Sequence, residues 1–441
     1  MSEKTNKRSF REGVGTSQKK KWYSLMDKVW AISNLEEAFK EVKKNRGSAG
    51  IDGVSIKTFE IELEDNVQIL HKELKEKKYT PRPVKRVYIP KPDGSQRPLG
   101  IPTVRDRVVQ SALRRILEPI YEAEFLDCSF GFRPNRSAHM ALEKIRRDLL
   151  DGYVYVIDAD LQAYFDTIPH ERLISLVREE VVDGSVIRLI ESFLQAGIMD
   201  GGSFQINEKG TPQGGVISPL LANIYLHPLD EIMTERGHRI TRYADDFVIC
   251  CKSQKGAERV LKSVTRFLEQ ELGLSIHPNK TKIVNNLEET FQFLGHEFKA
   301  GYWVTPSAKA LKKFKTKVKN ITKRNQTINI EKLVKDRLNP YLRGWGNYFG
   351  HFHVKRLFTK IDSWIRRRLR AVQLRSWRTI KKLHRELRRR NWKGELPRFR
   401  MNRWRSSLSP AVHVAIPNER FQEIQLVSLV KIYNEHHPQR G

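Results

Sequence analysis

The chain reads as an α+β protein, and three observations predict that class. Short β-branched runs end on carboxylates, as in Val154-Tyr155-Val156-Ile157-Asp158-Ala159-Asp160 and in Phe247-Val248-Ile249-Cys250-Cys251 behind Asp245-Asp246; runs of that composition form strands. Around them the apolar spacing is helical, as at Leu35, Ala38, Phe39 and Val42. The third observation is charge. Residues 301–400 hold 30 Lys and Arg against 5 Asp and Glu, whereas residues 1–300 hold 46 against 43. Of the net charge of +30, +25 therefore belongs to one basic, helical module near the C-terminal end.

The 441 residues suffice for about two to four domains. A hydrophobic content of 39% with 9% aromatics excludes wholesale disorder. Only Cys128, Cys250 and Cys251 occur, with no spaced pair, which excludes a disulfide framework or a zinc module and makes a reducing cytoplasm the expected location. No apolar run long enough to span a membrane appears, and the polar N-terminus does not read as a secretory signal.

Residues 1–21 are polar and basic, ending in Lys19-Lys20-Lys21, an arm suited to an anionic partner. From Trp22 the spacing of Leu25, Val29 and Ile32 predicts a helix, and Asn34 is the expected N-cap of the next one. The glycine-rich run Asn45 to Gly53 is either a phosphate cradle or a connector. Val84 to Pro90 and Arg97 to Pro102 predict two strands joined by the Lys91-Pro92-Asp93-Gly94 turn. That hairpin sets Lys91 and Arg97 near one another at its tip. Such a pair supplies a triphosphate with a point charge and a bidentate fork, or is simply solvated. Val104 to Leu117 is helical again.

Asp158 and Asp160 share one face of their strand, so either can reach a metal, with Tyr164-Phe165-Asp166 flanking the site. Ala244-Asp245-Asp246 predicts the tip of a hairpin, and two like charges there need a cation. An Asp of the first strand facing this pair would hold two Mg²⁺ ions, one activating a 3′-hydroxyl and one the leaving pyrophosphate. Gly210 to Val216 is a turn into an apolar helix with Pro219 in its first turn, and places Gln213 where it can touch a nucleotide. In the basic module Trp345, Tyr348, Phe349, Phe352, Trp364 and Trp377 are interleaved with cations, offering charge for phosphates and flat faces for bases.

In this order the motifs resemble one family, the reverse transcriptases encoded by bacterial group II introns, also called intron maturases. The resemblance rests on Ala49-Gly50-Ile51-Asp52-Gly53, Ile89 to Gly94, Arg97 to Pro102 and Gly131-Phe132-Arg133-Pro134. It continues through Asp160 to Asp166, Pro212-Gln213-Gly214-Gly215, Tyr243-Ala244-Asp245-Asp246 and Phe293-Leu294-Gly295. Leu338 to Phe349 resembles the maturase thumb, or X domain.

The resemblance implies a right-hand polymerase fold, with fingers and palm built on antiparallel sheet and followed by an α-helical thumb. It implies four regions: a basic N-terminal extension over 1–30, fingers and palm over 31–300, the thumb over 301–390, and a basic C-terminal extension over 391–441 that contacts either DNA or RNA. Asp160, Asp245 and Asp246 would ligate two Mg²⁺ ions. Lys91 and Arg97 would meet the incoming triphosphate, and Gln213 the nucleotide sugar. Phe165 would exclude a 2′-hydroxyl, and Lys280, with Lys282 as its competitor, would protonate pyrophosphate. Arg343, Trp345, Tyr348, Arg366, Arg367 and Arg368 would contact nucleic acid. The implied activity is RNA-directed DNA synthesis on an RNA template with a DNA or RNA primer and deoxynucleoside triphosphates, together with maturase action on a group II intron RNA. The alternatives are a splicing maturase whose polymerase activity is dispensable and a domesticated reverse transcriptase. Many relatives end in an HNH nuclease with paired cysteines; no cysteine follows Cys251, so no endonuclease is expected.

Overall fold

The computed structural model describes residues 21–90, 94, 96–205, 209–211, 214–325 and 329–438. Two compact units emerge. One gathers the described residues up to Ser137 with Ile157–Ile249 and Lys255–Lys282; the other gathers Ala138–Val156, Cys250–Gln254 and the residues from Ile283 on. Eleven strands occur among the described residues: β1 (Val84–Pro90), β2 (Gln96–Ile101), β3 (Tyr155–Ala159), β4 (Ile198–Asp200), β5 (Ser203–Gln205), β6 (Arg239–Tyr243), β7 (Asp246–Cys251), β8 (Lys282–Asn285), β9 (Phe291–Phe293), β10 (His296–Lys299) and β11 (Trp303–Pro306). No described helix is long and apolar enough to cross a membrane.

In the first unit β1 and β2 form the expected antiparallel hairpin, with Ile89 opposite Arg97, in a sheet of order β2-β1-β4-β5. Lys91, at the turn, lies outside the described residues. A second sheet has β6, β7 and β3 as neighbours in that order, so the Asp245-Asp246 tip and the carboxylate end of β3 belong to adjacent strands. Helix Ser218–Glu235 carries Pro219 in its first turn and buries Leu220, Leu221, Ile224, Tyr225, Leu226 and Leu229. Burial around so much of its circumference makes it a core helix.

Helix Val104–Glu122 starts where Thr103 Oγ1 accepts the Asp106 N–H. Helix Ile32–Asn45 corrects the expectation for Asn34, which lies inside the helix while Ala31 occupies the N-cap. The Asn34 amide instead donates to Ala112 O at 3.1 Å and accepts from Arg115 Nε at 3.0 Å, a long-range tie that a local capping rule does not see.

The second unit contains the antiparallel sheet β11-β10-β9 and a helical core. Helices Asn339–Phe349 and Lys355–Trp377 bury Leu342, Trp345, Phe349, Phe358, Ile361 and Ile365 in it. Residues past 391, read in sequence as an extension, supply Met401, Val412, Phe421, Leu429 and Ile432 to the same core. Asp362 fastens them, accepting from Ser428 Oγ at 2.7 Å and from the N–H groups of Leu429 and Val430 at 3.0 and 3.2 Å.

Candidate active site

The tip between β6 and β7 is held from behind by Arg242, whose side chain has no solvent access. Its Nε donates to Asp230 Oδ1 at 2.8 Å, and its Nη1 donates to Asn223 Oδ1 and Ala244 O, both at 2.9 Å. Ala244 sits at φ +58°, a left-handed conformation costing about 1–2 kcal/mol for a residue with a β-carbon, and the bond to its carbonyl holds it there. Asn223 Nδ2 donates in turn to Gly131 O at 2.8 Å. A Cβ on Gly131 would lie 2.3 Å from Ala244 N, so only glycine lets this backbone lie against the tip.

Four carboxylates crowd around that tip. Burial and the charges of Asp245, Asp160 and Asp158 push the Asp246 carboxyl up to about 6. Burial likewise raises Asp158 to about 6, with Asp160 adding to the shift and Lys282 opposing it. Asp245 is raised by burial and by Asp160, against its own backbone N–H and the charges of Arg97 and Arg242. The Arg97 fork of the β1–β2 hairpin is therefore within electrostatic reach of the hairpin carboxylates.

Asp160 follows β3 and is clamped by the turn after Ser275. His277 N–H donates to Asp160 O at 2.8 Å, Gln162 N–H to Ser275 O at 2.9 Å, and Lys280 Nζ lies 2.6 Å from Asp160 Oδ2. Of the two competing lysines, Lys280 pairs with Asp160, while Lys282 acts on Asp158 through its charge. Among the described residues no three His, Cys, Asp or Glu side chains form a ready metal cluster. The donor chemistry nonetheless fits a hard divalent cation. The side-chain donors gathered here are carboxylate oxygens, and Asp158, Asp245 and Asp246 are raised first by burial and then by the charge of neighbouring carboxylates, which a cation would offset.

Phe165 lies on the short helix Tyr164–Thr167, its ring edge-on to Tyr164 at 5.3 Å. Its carbonyl accepts the Thr211 N–H at 2.7 Å, which brings the start of the Gln213 loop beside it. Gln213 itself lies outside the described residues. On the far side of that loop Gly214 sits at φ +114°, and a Cβ there would lie 2.4 Å from Gly100 O, so the loop is pinned against β2 as well.

The family model for reverse transcriptase (RNA-dependent DNA polymerase) matches residues 89–298, and that for the group II intron maturase-specific domain matches residues 311–392. Protein YkfC of Escherichia coli (strain K12) is 37% identical over 302 residues, 59% of this chain and 79% of that protein. The chain belongs to the group II intron reverse transcriptase and maturase family. The group II intron-encoded protein LtrA of Lactococcus lactis subsp. cremoris is 32% identical over 327 residues, and the match spans about half of its length, 54%. A chain of a solved Cas6-RT-Cas1–Cas2 complex is 27% identical, covering 56% of this chain and 43% of that one, with a TM-score of 0.37.

In this group II intron reverse transcriptase the maturase-specific residues divide by burial. Trp345 is 9% exposed and packs on Phe314, Phe349 and Phe358 at centroid distances of 4.1, 4.8 and 5.6 Å. Its faces are taken up by protein, which corrects the expectation that a base stacks there. Tyr348 is half-buried and donates to Leu294 O at 2.9 Å. Arg343 is exposed. Arg366, Arg367 and Arg368 are half-buried; Arg367 and Arg368 lie over the Trp404 ring, and Arg368 Nε donates to Thr322 Oγ1 at 2.6 Å. Beside them Lys319, Lys323, Arg324, Arg368 and Arg375 line a cavity of about 510 Å³ with Trp404 and Asn402.

Sequence reasoning missed Arg324, Arg375 and Trp404 as neighbours in this reverse transcriptase, because they come from three distant segments. It also gave no role to Arg242, Asp230 or Asn223. An arginine in the strand that runs into the acidic tip, three residues before Asp245, was the available signal.

Proposed function

We propose that the chain copies RNA into DNA by nucleotidyl transfer at Asp160, Asp245 and Asp246, and that its second unit holds a group II intron RNA. The carboxylate cluster on adjacent strands, with Arg97 acting on Asp245, carries this reading. The three aspartates would hold two Mg²⁺ ions, which when bound acidify the primer 3′-hydroxyl and neutralise the leaving pyrophosphate.

The chain's own groups do the rest. Arg97 and Lys91 bind the triphosphate of an incoming deoxynucleotide, Gln213 meets its sugar, and Phe165 fills the space a 2′-hydroxyl would need. Lys280, poised at Asp160, gives a proton to the pyrophosphate as it departs. Arg242 holds the acidic tip without touching substrate. The basic cavity lined by Arg324, Arg368 and Arg375, together with the exposed Arg343, supplies cations for RNA phosphates.

Primer extension on an RNA template with deoxynucleotides and Mg²⁺ tests this reading, beside the double variant Asp245→Ala/Asp246→Ala. Extension that disappears in the variant while RNA binding persists supports it. The match to the maturase-specific domain favours a second reading, a splicing maturase whose polymerase activity is dispensable. Tight, salt-sensitive RNA binding with no extension by either protein would leave that one standing.

A further inference from the structure

Eleven described non-glycine residues have positive φ, and only Phe132 and Leu294 among them carry large apolar side chains. Leu294 is half-buried, whereas Phe132, at φ +59°, is 53% exposed. A β-carbon disfavours that backbone conformation, and an aromatic ring left largely in water gains little from burial. Phe132 therefore carries two local penalties, and a glycine there would carry neither.

The backbone around it is fixed on both sides. Gly131 abuts the Tyr243–Ala244 peptide and has its carbonyl held by Asn223 Nδ2. Arg133, 6% exposed, donates to both Glu122 carboxylate oxygens at 2.9 and 2.8 Å, to Ser129 O at 2.8 Å and to Phe125 O at 3.1 Å. The ring is thus presented to solvent from a segment that lies directly against the hairpin bearing Asp245 and Asp246.

We propose that Phe132 is a stacking platform for the nucleic-acid strand at that hairpin, its ring face lying against a base or ribose of the primer–template. The proposal rests on the reading of Asp245 and Asp246 as the polymerase centre. A flat apolar face suits this position because every base and sugar offers a complementary surface, whatever the sequence copied. A strained and exposed residue beside a reaction centre is also where conformational cost is retained for a contact made outside the chain.

Four full-length proteins decide it: wild type, Phe132→Gly, Phe132→Leu and Phe132→Tyr. Each is measured for thermal midpoint, for primer–template affinity by fluorescence anisotropy, and for single-nucleotide incorporation. The expected pattern is a Phe132→Gly protein at least as heat-stable as wild type, with primer–template Kd raised about tenfold and kcat at saturating primer–template within about twofold. Phe132→Leu shares the loss, and Phe132→Tyr restores binding. A wild type that extends primers while Phe132→Gly and Phe132→Leu bind like it overturns the platform and leaves the polymerase reading intact. A wild type that does not extend removes both. If Phe132→Gly fails to fold, the contrast between leucine and tyrosine still decides.

Discussion

Arg242 and Asp230 form an ion pair in which neither side chain has any solvent access, and the same guanidinium reaches Ala244 O at 2.9 Å. A buried pair adds little over a well-packed apolar replacement, but removing one partner strands a charge. Arg242→Met should lower unfolding free energy by about 3–5 kcal/mol in chemical denaturation. Arg242→Met/Asp230→Leu should recover most of that stability and still extend primers poorly, because Ala244 O has lost its donor. A double variant polymerising at the wild-type rate would sink the positioning role.

Lys280 forms an ion pair with Asp160, whereas the charge of Lys282 acts on Asp158. As the proposed proton donor, Lys280 should be irreplaceable by alanine without a fall in kcat of about 10²-fold, with nucleotide affinity little changed. Lys282→Ala should retain kcat to within a few-fold. Pre-steady-state incorporation separates the two, and equal losses would remove the assignment.

Burial predicts different consequences for Trp345 and for the cavity arginines Arg324 and Arg375. Trp345→Ala should cost about 3–5 kcal/mol of stability, since it empties a core position. Arg324→Ala and Arg375→Ala should leave the melting temperature near wild type. Each should instead weaken RNA binding and reduce by about one the slope of log affinity against log salt. An unchanged slope would show that the cavity carries no phosphate.

His296 is fully buried, and burial pulls its pKa down to about 4. His351, ring to ring with His139 at 3.9 Å and His436 at 4.1 Å, is lowered to about 4 by burial and by those neighbours. The unfolded chain binds protons at these two positions more readily than the folded one between about pH 4 and the ordinary histidine value of 6.5. Stability attached to them is complete above that window and lost as pH falls through it, up to about 3 kcal/mol for His296. Relative to wild type, His351→Asn should gain thermal midpoint as pH falls from 6.5 towards 4, while Asp158 and Asp246, whose carboxyls are raised to about 6, act in the opposite sense in both proteins. A difference between the two midpoints that stays constant across that range would contradict the arrangement.

The strand before Asp160 and the acidic hairpin were legible because their signals are local: β-branched runs meeting carboxylates. The β1–β2 hairpin was equally plain from Pro92-Asp93-Gly94 between two apolar runs. What stayed hidden depends on partners far along the chain. Asn34 looked like a cap, but Ala112 and Arg115 claim its amide. Trp345 stands among cations in sequence whether it faces RNA or Phe314, and only packing separates the cases. Phe421, Leu429 and Ile432 sit on short helices whose spacing reads as core only once their partners in the helices before them are seen.

The second unit groups Ala138–Val156 with the residues from Ile283 on, whose core includes Leu429 and Ile432. During synthesis its earliest segment leaves the ribosome well before the helix that ends this core has been translated. At 5–20 residues per second the interval is roughly 15–60 s. For most of it His139, on that earliest segment, lacks the Tyr348 and His351 rings it packs against. Newborn chains therefore pass through a prolonged half-built stage in which chaperones have time to act and premature termination yields an uncovered, aggregation-prone product.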